Sequence, residues 1–425
     1  MSWFKSRLRL WARAGRAESA DPTLARPIGL VLTGGGARAA YQVGVLAGIR
    51  RVLLDAGWPP QRNPFRVFTG TSAGAINATV LAAGADDLFE AIARLALVWG
   101  SFEPAQVYRV DASGALGNAA RWIGGAGLGW LARRQPRSLF DTDPLQDLLS
   151  RTIDYQRIAA NLASGHFDAL AVSASSYTSG RHVTFFQARE IHDPMMRSQR
   201  IAYPAVLGTT HLMASSAIPF LFPAQSLPID GREEYFGDGS MRQTAPISPA
   251  IHLGATRILV IGSAATERPE VQLDLPPVPP SYPTLAQIGA HALASMFLDA
   301  LASDIERLER INRTIAAVPA EHRQRIGLRP LQALVISPSR PLDQLAEHHV
   351  RQLPRSVRAL LRVAGGTRGR GTGVSSYLLF DCSYTRRLLA MGRRDALNQR
   401  DRIEAFFDVK AAGVKAAGTE SPHGN

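Results

Sequence analysis

The chain has 425 residues, of which 46% are hydrophobic and 20% charged, so it can bury a large core. Its formal net charge is +13, yet the arginines behind that charge are dispersed and no aromatic–basic recognition module accompanies them, which argues against nucleic acid as a partner. The one cysteine, Cys382, excludes an intrachain disulfide and fits a reducing, cytoplasmic setting.

Residues 1–26 form a basic leader that has two interpretations. A helix here would carry apolar residues on one face and basic residues on the other: Phe4, Leu8 and Trp11 against Lys5, Arg9, Arg13 and Arg16. Such a helix suits the surface of an anionic membrane, and the alternative is a disordered basic tail. The leader lacks the apolar segment of a secretory signal, and no run in the chain approaches the roughly 18–20 residues of a membrane span. We therefore expect at most peripheral contact with a membrane.

A glycine-rich turn follows the first predicted strand, the apolar run Ile28–Leu32. The turn reads Gly34-Gly35-Gly36-Ala37-Arg38, and the helical pattern Ala39–Asp55 comes directly after it. Backbone amides at such a helix start stabilise an anion, which would be either a phosphate or the oxyanion of a reaction intermediate. The lysine of a phosphate-binding P-loop is missing after the glycines. The remaining alternative is a tight turn without chemistry.

A second glycine turn carries a serine. The strand-like run Phe65–Thr69 leads into Gly70-Thr71-Ser72-Ala73-Gly74, and an alanine-rich helical run, Ala75–Ala83, follows. This context predicts a nucleophile elbow, in which a sharp strand-to-helix turn lifts the serine hydroxyl clear of the sheet. An oxyanion hole at the upstream turn, paired with Ser72, explains both turns together.

The middle of the chain contains one unusual segment between ordinary elements. Gly114–Leu131 is rich in glycine and tryptophan, and we interpret it either as a mobile cap at a lipid interface or as a buried irregular insert. A helix is predicted to open at Thr142-Asp143-Pro144, and strands at Phe167–Ser173 and Arg181–Gln187.

Asp238 stands between glycines in Phe236-Gly237-Asp238-Gly239-Ser240. Asp-Gly is most often only a turn. The functional interpretation is that the glycines let the carboxylate reach Ser72 and take its proton. Because a free aspartate, with a pKa near 3.9, is a poor base at neutral pH, that role requires burial to raise the pKa of Asp238.

The C-terminal part of the chain reads as further α/β structure followed by helices. The predicted elements are a strand at Arg257–Gly262, a proline-dense linker at Pro276–Pro283, a helix at Leu285–Arg313, a strand at Leu331–Ser337, and helices over 340–409 interrupted at Gly365–Gly373. Since the motifs from Gly34 to Asp238 must meet at one site, we predict a catalytic domain over 27–317. A C-terminal extension packed on the core over 318–409 and a disordered tail over 410–425 complete the division.

The motifs and their order resemble those of the bacterial type of patatin-like phospholipases. The resemblance rests on the glycine turn Gly34–Arg38, the elbow Gly70–Gly74, the segment Ala214-Ser215-Ser216-Ala217-Ile218-Pro219, and Asp238-Gly239. It covers about residues 27–320 and continues loosely through Ser376–Asp381. The sequence departs from the family at Ser240, where many relatives carry Gly or Ala, and at Ala39, where relatives often have glycine. The resemblance implies an α/β fold, a three-layer α/β/α arrangement with a mainly parallel central sheet and a helical C-terminal extension.

The same resemblance implies the roles of the site residues. Ser72 would be the nucleophile that forms an acyl-enzyme, Asp238 the general base, and the amides of Gly35, Gly36 and Ala37 the oxyanion hole. Arg38 would either contact a lipid headgroup or brace the glycine loop. The family needs no metal and no cofactor, and it acts on membrane or other acyl lipids; the sequence has no metalloprotease, calcium-loop or cysteine-cluster motif.

Two other functions fit parts of the pattern. A histidine-dependent carboxylesterase on soluble esters would use His252 or His291 on order alone, since the oxyanion turn and the elbow belong to both designs. A non-catalytic membrane-binding protein would keep the basic surface without turnover. We prefer the Ser–Asp dyad because Asp238 lies in a glycine-flanked turn and neither histidine does.

Overall fold

The computed structural model describes residues 26–109, 138–190, 196–197, 199–263, 300–323, 328–363 and 372–409. Several predictions concern residues outside these ranges: the leader up to residue 25, the segment Gly114–Leu131, the linker Pro276–Pro283, and the tail from residue 410. The first part of the helix predicted from Leu285 and most of the Gly365–Gly373 interruption also lie outside the described residues.

The described strands form one mixed sheet. They are β1 Ile28–Leu32, β2 Val67–Thr71, β3 Ala169–Ser176, β4 His182–Ala188, β5 Met196–Arg197, β6 Arg200–Pro204, β7 Gln225–Ile229, β8 Arg232–Asp238, β9 Arg257–Ile261 and β10 Gln332–Ile336. The order is β10-β9-β1-β2-β3-β4-β6-β5, and β8 pairs with both β3 and β7. The five strands from β10 to β3 are parallel to one another.

Both faces of the parallel part are covered. Leu30 and Leu32 of β1 pack into the larger hydrophobic cluster, while Val31 between them packs into a second cluster on the opposite face. Such continuously apolar strands are typical of parallel sheets with helices on both sides. The predicted three-layer α/β/α fold with a mainly parallel central sheet is therefore confirmed.

Some of the helices were predicted from the sequence, while Leu88–Gly100, Tyr155–Ala163, Thr209–Ser215 and Ser248–His252 were not. The described helices are α1 Ala40–Asp55, α2 Ala73–Ala83, α3 Leu88–Gly100, α4 Asp143–Thr152, α5 Tyr155–Ala163, α6 Thr209–Ser215, α7 Ser248–His252, α8 Ala300–Ala317, α9 Ala320–Arg323, α10 Leu342–Glu347, α11 Arg355–Val363, α12 Thr372–Leu378, α13 Cys382–Leu397 and α14 Arg400–Phe406. Residues of α1, α2, α3 and α13 pack in the larger cluster, and residues of α7 and α8 in the second.

The C-terminal part of the chain is built into this core. α13 packs along α1, and the Tyr41 hydroxyl donates a 3.0 Å hydrogen bond to Asp395 at their contact. β10 extends the parallel sheet beyond β9, so the sheet continues past the predicted division at residue 317. The predicted helical C-terminal extension is present.

The strand before Ser72 lies two residues later than predicted. β2 begins at Val67 and ends at Thr71, because Gly70 and Thr71 stay extended and pair with Leu32 and Ser173 of the neighbouring strands. α2 then begins at Ala73, directly after Ser72. The turn at the serine is thus sharper than the pattern alone predicted.

Within the described residues, no helix combines the length and the apolar character that a membrane crossing would need.

Candidate active site

Ser72 occupies a strained backbone position between β2 and α2. Its φ is 56° and its ψ −132°, a conformation that costs a non-glycine residue free energy and is found mainly at functional sites. The turn requires glycine at Gly74, because a Cβ there would overlap the carbonyl oxygens of Leu32 and Thr33 at the end of β1. Gly70 is the second-last residue of β2, and a Cβ there would overlap Gly74 and Ala75 at the start of α2. These contacts give a sharp strand-to-helix turn at Ser72, here called the elbow; that it presents a nucleophile stays a prediction.

Ser215 holds the elbow in place. Its Oγ accepts a 2.8 Å hydrogen bond from the backbone N–H of Ser72 and donates a 2.6 Å bond to the carbonyl of Ser173 in β3. Ser215 ends α6 and is fully buried. The Ala214–Pro219 segment therefore joins the elbow to the central sheet, a role that its sequence did not indicate.

Asp238 ends β8 beside the elbow. Its backbone N–H donates a 2.9 Å bond to the carbonyl of Ala217, and its Oδ1 accepts a 2.8 Å bond from the backbone N–H of Ser240. Gly239 packs against the carbonyl of Ser173, the group that also receives the Ser215 hydroxyl. Through these contacts the sheet and the Ala214–Pro219 segment fix the carboxylate in one orientation.

The structure brings the side chains of Ser72 and Asp238 together. Burial raises the pKa of Asp238 from 3.8 to about 6, and hydrogen bonding with Ser72 and then with Ser240 lowers it by less. The Ser72 contact is looser than a standard hydrogen bond, since Oδ2 of Asp238 is buried without a partner of standard geometry among the described residues. Catalytic hydrogen bonds are often long before substrate binds. The two side chains are thus placed to act as a nucleophilic serine and its general base; that they do so stays a prediction.

The glycine turn Gly34–Arg38 also borders the site at Ser72. Gly36 has a φ of +53°, and a Cβ there would overlap the carbonyl oxygen of Tyr377, so only glycine fits. A 3-10 helix begins at Gly36, and Gly34 is held by a hydrogen bond from Ser263 to its carbonyl. The first amides of a helix have no partner inside it, so those around Gly35, Gly36 and Ala37 could bind an anion; that they form an oxyanion hole stays a prediction. Gly36 and Ser72 line one groove.

Arg38 is directed into the protein. Its side chain is 4% exposed, forms an ion pair with Asp343, and donates a 2.7 Å hydrogen bond from Nε to the hydroxyl of Ser376. The guanidinium also lies 4.0 Å above the ring of Tyr377. Of the two predicted roles, these contacts fit bracing of the loop, because contact with a lipid headgroup would require Arg38 to leave all three partners.

The sequence did not predict a buried series of hydrogen-bonded polar side chains behind the site. The side-chain amide of Gln42 donates 2.7 Å to the carbonyl of Thr33, and that of Asn77 donates 3.2 Å to Gln42 Oε1 and to the carbonyl of Ala39. The indole of Trp99 completes the chain with a 2.9 Å bond to Asn77. The network ties the glycine turn to α2 and α3. Its only sequence signal is an amide side chain within each of two apolar helical runs.

An apolar groove of about 320 Å³ starts at Ser72. It follows one face of α2 through Ala73, Ile76, Val80 and Ala83. The opposite wall comes from several elements and is almost entirely apolar: Leu95, Val98, Trp99, Phe102, Leu145, Leu149, Ile153, Ile218, Phe222 and Phe380. The charged residues Asp87, Arg94, Asp154 and Arg157 also line the groove. The groove can hold a hydrocarbon chain with its polar end at Ser72.

Histidine does not take part in the described site. None of the described residues that line the groove is a histidine, and the groups in contact with the Asp238 carboxylate are serines. His252 ends α7 on the other face of the sheet, while His291 lies outside the described residues. Over the described ranges, His, Cys, Asp and Glu side chains do not gather in threes as a metal site requires.

Comparison with known proteins gives one family match. A family model described as patatin-like phospholipase matches residues 30–251, more than half of the chain. These residues include the glycine turn, the elbow, the Ala214–Pro219 segment and Asp238. No curated protein sequence matches the chain.

Solved structures give more distant likenesses. Human GIVD cytosolic phospholipase A2 is 11% identical with a TM-score of 0.42, over 95% of this chain and 62% of that one. VipD from Legionella pneumophila is 13% identical with a TM-score of 0.29, over 86% of this chain and 67% of that one. A chain of the ExoU–SpcU complex of Pseudomonas aeruginosa is 16% identical with a TM-score of 0.25, over 89% and 77%. At these values the likenesses carry no argument about activity.

Proposed function

The chain belongs to the patatin-like phospholipase family, and we propose that it hydrolyses acyl esters of lipids with Ser72 as nucleophile and Asp238 as general base. One observation carries the proposal: a buried carboxylate with a raised pKa lies beside a serine in a strained strand-to-helix turn, at the head of an apolar groove. A serine, a base and a groove for hydrocarbon are the parts that hydrolysis of a lipid ester requires.

The first half of the proposed reaction transfers the acyl group to the protein. The Ser72 hydroxyl attacks the ester carbonyl carbon while Asp238 takes its proton, and the carbonyl oxygen becomes an oxyanion. Amides of Gly35, Gly36 and Ala37 are proposed to stabilise that charge, an effect commonly worth a factor of about 10² to 10³ per donor. When the intermediate collapses, the bond to the alcohol oxygen breaks, and the proton on Asp238 passes to that oxygen.

The second half returns the protein to its starting state. Asp238 accepts a proton from water as the water oxygen attacks the acyl-serine carbonyl. The bond to Ser72 Oγ then breaks, the serine regains the proton, and the fatty acid leaves. A carboxylate with a pKa of about 6 is ionised at neutral pH and is still basic enough to exchange protons in both halves.

The groove supports an acyl chain as the apolar part of the substrate. Its wall along α2 spans 11 residues, about 16 Å, which matches an extended hydrocarbon of roughly 12 carbons. Leu97 and Phe220, which are exposed apolar residues next in sequence to groove-lining segments, support contact with a lipid surface. The net charge of +13 favours anionic lipid in the same way.

Ester hydrolysis by matched variants tests this function. We expect Ser72→Ala and Asp238→Asn each to lower turnover of a 4-nitrophenyl ester and of a phospholipid by at least ~10³-fold, with the fold intact by circular dichroism. His252→Ala should retain wild-type turnover. An active Asp238→Asn with an inactive His252→Ala would instead show a histidine-dependent esterase, and vesicle binding without turnover by wild type would show a binding protein.

A further inference from the structure

Ser216 has a buried hydroxyl that none of the described residues binds. The residue is 6% exposed, and its Oγ is buried without a hydrogen-bond partner among the described residues. It lines the groove together with Ser72 and Gly36. A buried hydroxyl without a partner destabilises the fold, so its presence requires an explanation.

The contacts of its two sequence neighbours place Ser216 near Ser72 and Asp238. The preceding residue, Ser215, binds the backbone of Ser72, and the following residue, Ala217, binds the backbone of Asp238. Ser216 is therefore the residue of this segment that stands between the two contacts and also faces the groove. Two other buried oxygens at this site lack a standard partner among the described residues: Oδ2 of Asp238, which belongs to the proposed machinery, and Oγ of Ser240, which lies next to that carboxylate.

The hydroxyl has no part in shaping the segment. The backbone N–H of Ser216 donates a 3.0 Å bond to the carbonyl of Leu212, and its carbonyl accepts a 2.9 Å bond from Ile218. Main-chain bonds thus define the end of α6 and the turn after it. Replacing serine by alanine removes one polar atom and leaves these bonds in place.

We propose that Ser216 is a further catalytic residue, whose hydroxyl donates a hydrogen bond to an oxygen of the reacting ester as negative charge develops on it. This inference rests on the proposed function. A side-chain hydroxyl in an apolar groove is a strong donor there because little water competes for it. The bound ester then supplies the partner that the unliganded protein lacks.

The test compares Ser216→Ala with a matched loss of a partnered hydroxyl, Thr184→Val. Thr184 is buried in β4, and its Oγ1 lies 3.3 Å from the hydroxyl of Ser173. For Ser216→Ala we expect kcat for a 4-nitrophenyl ester to fall roughly 10- to 100-fold while Tm stays equal or rises. For Thr184→Val we expect the reverse, an unchanged kcat and a lower Tm.

Three results would overturn the assignment of Ser216. An unchanged kcat would show that the hydroxyl does not act in the reaction, and a raised KM alone would show that it binds only the ground state. A fall in both kcat and Tm would show a structural role. In each case an active wild type and an inactive Ser72→Ala leave the proposed function standing, whereas no turnover by wild type would overturn both.

Discussion

Asp238 is the residue at which stability and chemistry are opposed. Full burial disfavours its charged form and raises its pKa to about 6, while Ser72 and Ser240 offset only part of that effect. A carboxylate in water would be ionised but too weak a base. The burial that would make Asp238 the proposed base therefore also makes the ionised protein less stable.

The activity should titrate with this carboxylate. Because only ionised Asp238 accepts the Ser72 proton, kcat/KM is expected to rise with pH through about 6 and level off above it. The measurement is kcat/KM for a soluble ester between pH 4.5 and 8, at constant ionic strength. A rate already level at pH 4.5 would contradict the raised pKa.

Neutralising Asp238 should stabilise the protein at neutral pH. The folded-state pKa of about 6 lies above the unfolded value of 3.8, so the wild type loses stability as pH rises between them and regains it on acidification. Asp238→Asn removes that loss, and its gain at pH 7 should approach about 3 kcal/mol. Denaturant unfolding at pH 7 and below pH 4 measures this; an equal effect at both pH values would exclude the electrostatic cause.

At the scale of elements, α2 has two functions. Its first residue follows the strained Ser72, and its face through Ile76 and Val80 forms the floor of the groove. The sequence predicted the helix from its apolar run. It did not predict which face stays open, because that depends on α3 and α4, which come from other parts of the chain.

Filling the groove partway along α2 should shorten the accepted acyl chain. Val80→Phe adds bulk two turns beyond Ser72, so hydrolysis of a butanoyl ester should change by no more than about twofold while that of a hexadecanoyl ester falls at least ~10-fold. The matched control is Leu97→Phe on α3, where the side chain is exposed. Equal losses for both chain lengths in Val80→Phe would contradict the assignment of the groove.

At the scale of the whole molecule, the C-terminal part of the chain supports the glycine turn. Residues 372–378 form α12, whose Ser376 and Tyr377 contact Arg38, and Tyr377 also packs on Gly36. The family match ends at residue 251, before any of them. The loop proposed to bind the oxyanion is thus positioned by residues outside the matched domain.

Breaking this support should lower kcat without a matching loss of stability. Asp343→Asn removes the ion pair of Arg38, and kcat is expected to fall about 10-fold with KM nearly unchanged. Asp408→Asn is the control, since it removes an exposed partner from Arg257, another buried arginine distant in sequence from the turn. Similar shifts in Tm with loss of kcat only in Asp343→Asn would agree with this positioning role. Equal kcat in the two variants would contradict it.

Local signals in the sequence predicted much of the fold and of the candidate site. β1 has the predicted bounds, and Ser72 and Asp238 meet as their glycine-framed turns suggested. The partners of Arg38 lie about 300 residues away, so no local pattern could decide between headgroup contact and bracing. The Gln42–Asn77–Trp99 network was also missed, because its members lie on three different helices. In the sequence, Gln42 and Asn77 each look like a single polar residue in an apolar helix.

The central claim is that Ser72 is a nucleophile activated by Asp238. Labelling of the purified protein with an alkyl fluorophosphonate, followed by peptide mass spectrometry, tests it most directly. We predict one adduct on Ser72 in the wild type, at least ~10²-fold slower labelling in Asp238→Asn, and none in Ser72→Ala. An unmodified Ser72, or labelling that is as fast in Asp238→Asn as in the wild type, would contradict the account.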